Sequence, residues 1–197
     1  MRLLLVLMLW AGSVAAQDFP DAFTVTGVAA DDVLNIRSDA TAASPIIGSF
    51  GPQDLNIEVL EVSTDGKWGR VGTGEGNGWV AMRFLARSGH NAADGMPRPF
   101  VCSGTEPFWT LALLPGGDEY LTPEGRRDLT LTTEATAPQG YLAIFDEGPT
   151  LTRNLIVMRG ACSDGMSDRS FGWQAMLFNQ APDGNTVQTG CCTLDAH

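Results

Sequence analysis

Along most of the chain, apolar and polar residues alternate with the period of two that marks a half-buried strand. In the first half the run FTVTGV alternates at its start, and Leu34-Asn35-Ile36-Arg37 alternates cleanly. Ile57–Val62 is rich in β-branched residues. The segments 67–71 and 78–82 are two further strands, joined by a glycine-rich turn of hairpin type. Leu34, Ile36, Val59, Val71 and Val80 fall on the inward side of this pattern, and no i, i+3, i+4, i+7 helical spacing competes with it. In the second half Phe108–Leu114 places Trp109, Leu111 and Leu113 on one face, and Asp128–Thr132 alternates. Tyr141–Phe145 and Leu155–Met158 are strand-like, and Phe171–Phe178 alternates around Trp173, Ala175 and Leu177. Turn signals such as LPGGDE, TPEGRR, APQG, DEGP and APDGN separate these runs. The pattern predicts an all-β chain whose second half is an antiparallel barrel or sandwich of six or seven short strands.

Between the halves, residues 88–100 are polar, contain Gly and Pro, and have no hydrophobic period, so they read as a linker. The expected organisation is a first domain over 21–87, this linker, and a cysteine-containing domain over 101–195. Residues 1–16 form a separate element. One early cation, Arg2, precedes an apolar run from Leu3 to Trp10, and Val14 and Ala16 stand at −3 and −1 of a cleavage after Ala16. That is the pattern of a secretory signal peptide. The run is about half of the ~20 residues that span a bilayer, and no later stretch is long enough. The expectation is therefore a periplasmic or secreted protein with no integral membrane segment.

Composition narrows the function classes. The chain has 197 residues, 12 Lys+Arg against 23 Asp+Glu, and a formal net charge of −11. A general nucleic-acid binder is excluded for want of a basic surface to neutralise phosphates. With 44% hydrophobic and 18% charged residues the chain is globular and not disordered. Its four cysteines, Cys102, Cys162, Cys191 and Cys192, all lie in the second half. In an exported protein that even count reads as a disulfide framework. Of the three pairings, one needs a strained vicinal bridge between Cys191 and Cys192. The other two both join the end of the chain to Cys102 and Cys162. Adjacent strand residues face opposite ways, so Cys191 and Cys192 can serve different partners. No CxxC spacing or nearby His supports zinc, and no metal or cofactor is expected.

The order VLNIRS, PIIGSF, LNIEVLEV, KWGRV, GWVAMRFL over residues 24–87 resembles a bacterial SH3 (SH3b) domain. The resemblance implies a small SH3-like barrel of five to six strands, in a class whose members act in the cell envelope and in some cases bind peptidoglycan peptides. Its candidate ligand-binding residues are Asn35, Arg37, Trp68 and Trp79. The two tryptophans either pack the barrel or form an aromatic groove. Asn35 and Arg37 alternate away from the core, where they either hydrogen-bond a peptide carboxylate or fix the neighbouring loop.

Residues 101–193 carry Cys102-Ser103-Gly104-Thr105-Glu106-Pro107-Phe108-Trp109, the loop from Cys162 to Arg169, and Gly190-Cys191-Cys192. This half resembles a group of uncharacterised bacterial envelope proteins and lipoproteins with a C-x-G-x-E-P-F-W start and a C-x-D-G-M-S-D-R loop. No activity comes with that resemblance. Glu106, Trp109, Asp164, Asp168 and Arg169 are candidates for a polar site, against the alternative of a disulfide-anchored loop that bonds to itself. Two carboxylates and no D-x-[DN]-x-[DN]-G repeat fall short of a calcium loop.

No catalytic residue is assigned. The two histidines, His90 and His197, lie in the linker and at the last position, away from any nucleophile. The sequence points to a non-catalytic, monomeric envelope protein that recognises peptidoglycan peptide or a protein partner. Two alternatives are an acidic inhibitor of a lysozyme-like hydrolase and a wall-glycan hydrolase using Glu106 with Asp164 or Asp168.

Overall fold

A computed structural model describes residues 19–88 and 95–194. The signal-peptide reading of residues 1–16, both histidines, and residues 89–94 of the expected linker lie outside the described residues. What is described is all-β apart from one 3-10 turn, Met82–Phe84.

The N-terminal part is one seven-stranded antiparallel sheet. Its strands are β1 (Asp21–Val25), β2 (Leu34–Arg37), β3 (Ile46–Phe50), β4 (Ile57–Val62), β5 (Trp68–Gly72), β6 (Asn77–Ala81) and β7 (Leu85–Arg87). They are ordered β3-β2-β6-β5-β4-β1-β7. Leu34, Ile36, Val59, Val71 and Val80 are all buried, as the alternation requires, and join Phe23, Val25, Phe50 and Ile57 in one core. The strand count exceeds the five to six implied by the SH3b resemblance. β3 gave a weak signal because Ile46 and Ile47 both stay exposed.

The C-terminal part is a closed eight-stranded antiparallel barrel. It comprises β8 (Phe100–Thr105), β9 (Phe108–Leu114), β10 (Gly117–Thr122), β11 (Gly125–Ala137), β12 (Gly140–Glu147), β13 (Leu151–Cys162), β14 (Phe171–Ala181) and β15 (Gly184–Thr193). The ring runs β10 to β15, then β8 and β9. Two hairpins share a Pro-x-Gly turn, with Gly125 at φ 141° and Gly184 at φ 142°, a conformation that costs a glycine nothing. The lumen is filled by Phe100, Leu111, Leu113, Phe145, Leu155, Val157, Trp173 and Leu177, so this is a packed core and not a channel. Phe100 meets Trp173 edge-on, with centroids 5.5 Å apart.

The two parts are joined by more than chain continuity. Glu58 on β4 is 4% exposed. Its carboxylate accepts hydrogen bonds from Trp173 Nε1 (3.1 Å), Thr193 Oγ1 (2.7 Å) and the Leu194 N–H (3.2 Å), all from the barrel. Ala22, opposite Glu58 on β1, belongs to the barrel's core cluster. The outer face of the N-terminal sheet thus closes one end of the barrel. Residues 95–99 of the expected linker are docked as well. Met96 is buried and its N–H donates to Glu134, while Arg98 pairs with Asp118 at 2.9 Å.

The cysteines pair Cys102–Cys192 and Cys162–Cys191, so the two adjacent residues serve two partners. Removing the wider bridge with Cys102→Ser and Cys192→Ser should cost about 4.5 kcal/mol, and removing the narrower about 3.5 kcal/mol, if unfolded-chain entropy dominates. Urea unfolding of the oxidised variants measures both. Equal losses, or losses below about 1 kcal/mol, would contradict the entropic account.

Candidate functional site

The four candidates of the N-terminal sheet share its outer face. On β2 the core takes Leu34 and Ile36, which turns Asn35 and Arg37 outward. On β5 Gly69 and Val71 point inward, leaving Trp68 and Arg70 outside. Register then aligns them: Trp79 lies opposite both Arg37 and Arg70, and Trp68 lies opposite Ala81. Both tryptophans are half-buried and outside the core cluster, so neither fills the sheet interior.

Asn35, Arg37 and Trp68 line one concavity of about 390 Å³, but Trp79 does not. Its other walls include Val33, Arg83 and Phe84. Arg37 Nη1 donates to the Ser44 carbonyl at 2.7 Å, which anchors the loop between β2 and β3. Arg37 therefore positions a wall, and the cation available to a ligand is Arg83. That guanidinium is exposed and lies 4.4 Å from the Phe84 ring centroid. Sequence reasoning missed Arg83 and Phe84 because the 3-10 turn at 82–84 interrupts the alternation that ends with β6.

The barrel candidates separate into different roles. Trp109, Asp164 and Arg169 line a groove of about 540 Å³, whose far wall is Gly74 and Glu75 from the turn between β5 and β6. Glu106 and Asp168 are not part of that lining. Glu106 is exposed in the turn between β8 and β9. Asp168 acts through its main chain: its N–H donates to the Glu75 carbonyl at 3.0 Å and its carbonyl accepts from Asn77 Nδ2 at 3.1 Å. Ser170 completes this clamp, taking Arg70 Nη2 at 3.0 Å. Trp109 is 3% exposed and stacks on Tyr120 with centroids 6.4 Å apart, which makes it first of all a core residue.

Arg169 faces the N-terminal sheet. A side chain at Gly72 would stand 2.7 Å from its Nε, so the absence of one there makes room for the guanidinium. Arg169 Nη2 also donates to Thr193 Oγ1 at 3.4 Å, the same hydroxyl that donates to Glu58.

Asp164 folds the loop on itself. Its carboxylate accepts from the N–H groups of Met166 and Ser167, each at 3.0 Å, and from the Ser167 hydroxyl. Those donors, the Ser167 and Met166 N–H groups foremost, hold the carboxyl below the ordinary aspartate range. A glycosidase general acid needs the opposite shift, so Asp164 is a poor acid for that chemistry. Among the described residues no three of His, Cys, Asp and Glu gather in a metal-binding group.

No family model, no curated protein and no solved structure matches this chain.

The lowered Asp164 pKa makes a signed prediction. The charged form is favoured in the folded loop, so its contribution is complete above the unfolded aspartate pKa and is lost as pH falls through the lower folded value. The protection of the Met166 and Ser167 amides, relative to their intrinsic exchange at each pH, should therefore fall on acidification below about pH 4. Asp164→Ala should show that loss of protection already at neutral pH. Equal protection of both amides in wild type and variant would contradict the assignment.

Proposed function

We propose that this is an exported, non-catalytic envelope protein whose N-terminal sheet recognises a peptide carrying a carboxylate, of the kind found in peptidoglycan. The observation that carries the reading is the concavity in which Asn35 and Trp68 stand beside the exposed Arg83. A half-buried indole supplies a flat apolar wall, the asparagine amide both donates and accepts, and the guanidinium attracts an anion in a chain of net charge −11. Export is supported by two disulfides with no free cysteine among the described residues, which suits an oxidising compartment. Among the same residues no helix is long and apolar enough to cross a membrane.

The acidity supports a second reading, inhibition of a cationic lysozyme-like hydrolase. Inhibition that falls steeply with salt would favour that reading over the first.

Co-sedimentation of the oxidised protein with purified peptidoglycan tests the proposal. Loss of an aromatic contact worth about 1 kcal/mol corresponds to roughly five-fold weaker binding. Trp68→Ala should show at least that loss, Arg83→Ala a comparable loss that moderate salt reproduces, and Trp79→Ala less than about two-fold. Unchanged binding by a folded Trp68→Ala variant would overturn the assignment of the concavity. No pelleting of the wild type would overturn the wall-peptide reading.

A further inference from the structure

The barrel end away from Glu58 has an incomplete wall. β15 pairs with β14 from Gly184 to Cys192, but with β8 only through Cys191, Cys192 and Thr193. β8 stops at Thr105 and β9 begins at Phe108, and β10 ends level with them, its Leu121 opposite Thr110, so only the start of β15 extends past this wall. Ser103 and Gly104 of β8 lie against Thr189 and Gly190, so the edge left without a strand neighbour is residues 184–188, about 15 Å at ~3.3 Å per residue. The notch beside it opens into a cavity of about 680 Å³ between that edge, Pro107 and Tyr120.

The lining of this cavity is mixed, with Pro107, Leu151 and Val187 beside a set of polar side chains. Arg153 is 6% exposed, held by Glu147 at 2.7 Å and Asn179 at 2.6 Å, with its guanidinium 3.6 Å from the Tyr120 ring centroid. Gln188 Oε1 accepts from Asn179 Nδ2 (2.9 Å) and Tyr120 Oη (3.1 Å), which leaves the Gln188 Nε2 protons to a ligand. Glu147 pairs with Arg153 and, at 3.1 Å, with Arg127, so the floor offers donors whose positive charge is partly offset. It suits neutral acceptors such as amide carbonyls. Residues 184–188, GNTVQ, contain neither charge nor proline, the features that normally protect a free strand edge. Asp183 on the rim makes no ion pair among the described residues.

We propose that this notch binds an extended segment of a partner protein, added as a strand to the free edge of β15, with a basic residue beside Asp183. Main-chain hydrogen bonds supply affinity, and the Gln188 amide selects a polar side chain at the position facing the lumen. The site is independent of the concavity on the N-terminal sheet.

The test titrates the full oxidised, ¹⁵N-labelled chain with the hexapeptide acetyl-Lys-Thr-Val-Thr-Val-Lys-amide, followed by amide shifts. Perturbations confined to residues 184–188 and the neighbouring lumen are expected. A peptide N-methylated at alternate residues on its pairing side should bind at least ten-fold more weakly. Val187→Lys, at an outward position 58% exposed, should weaken binding at least five-fold by repelling the probe's lysines while leaving the fold intact. Three results would each overturn the proposal. They are shifts absent from residues 184–188, equal binding of the N-methylated peptide, and an N-acetylglucosamine oligomer that perturbs the same amides more strongly than the peptide. Doubling of the sedimenting mass through this edge without peptide would also overturn it, by making a second copy the occupant.

Discussion

A buried carboxylate between two sheets holds the molecule's arrangement. Burying the Glu58 side chain costs several kcal/mol unless donors satisfy its oxygens. The barrel provides them in a side-chain indole, a hydroxyl and a main-chain N–H. The Thr193 hydroxyl receives Arg169 on one side and donates to Glu58 on the other, which links the carboxylate to a guanidinium through one oxygen. The same contact completes the barrel core, since Trp173, 1% exposed, would otherwise carry a buried indole N–H with no acceptor.

The disulfides keep those donors in place. Cys102–Cys192 ties β8 to β15 beside Thr193, and Cys162–Cys191 ties the start of the Asp164 loop to the same strand. The loop between these anchors carries Asp168, Arg169 and Ser170 to the turn between β5 and β6. Asp164 bends the loop internally, the disulfide fixes its base, and the N-terminal sheet fixes its far end. The conspicuous motif of the second half is thus first a clamp between the two parts. The concavity at Trp68 and Asn35 remains on the part of the sheet's outer face that the barrel does not cover.

Legibility in the sequence followed the polarity of the inward face. Leu34, Ile36, Val59, Val71 and Val80 were recognisable because an apolar interior stamps a period of two on each strand. Tyr141–Phe145 and Phe171–Phe178 were recognisable for the same reason. β10 and β15 were not, because their inward positions include Asp118, Thr186 and Gln188 at the polar regions of the lumen. Glu58 sat in an evident strand, but its partners lie 115 to 136 residues away, and no local pattern encodes such a contact. Of the site residues, Asn35, Arg37 and Trp68 do converge, since one alternation orders all three. Asp164 and Asp168 are bound into the loop after Cys162, one through its carboxylate and one through its main chain, while Glu106 stands exposed in the turn between β8 and β9.

Glu58 makes the two parts one cooperative unit, and equilibrium unfolding of Glu58→Ala in the oxidised protein tests this most directly. Stranding three buried donors predicts a loss of about 3 kcal/mol or more. A double-mutant cycle with Trp173→Phe should show coupling of at least about 1 kcal/mol, and near-neutral Glu58→Ala unfolding should split into separate transitions for the sheet and the barrel. A loss below about 0.5 kcal/mol, with a single unchanged transition, would contradict the central claim.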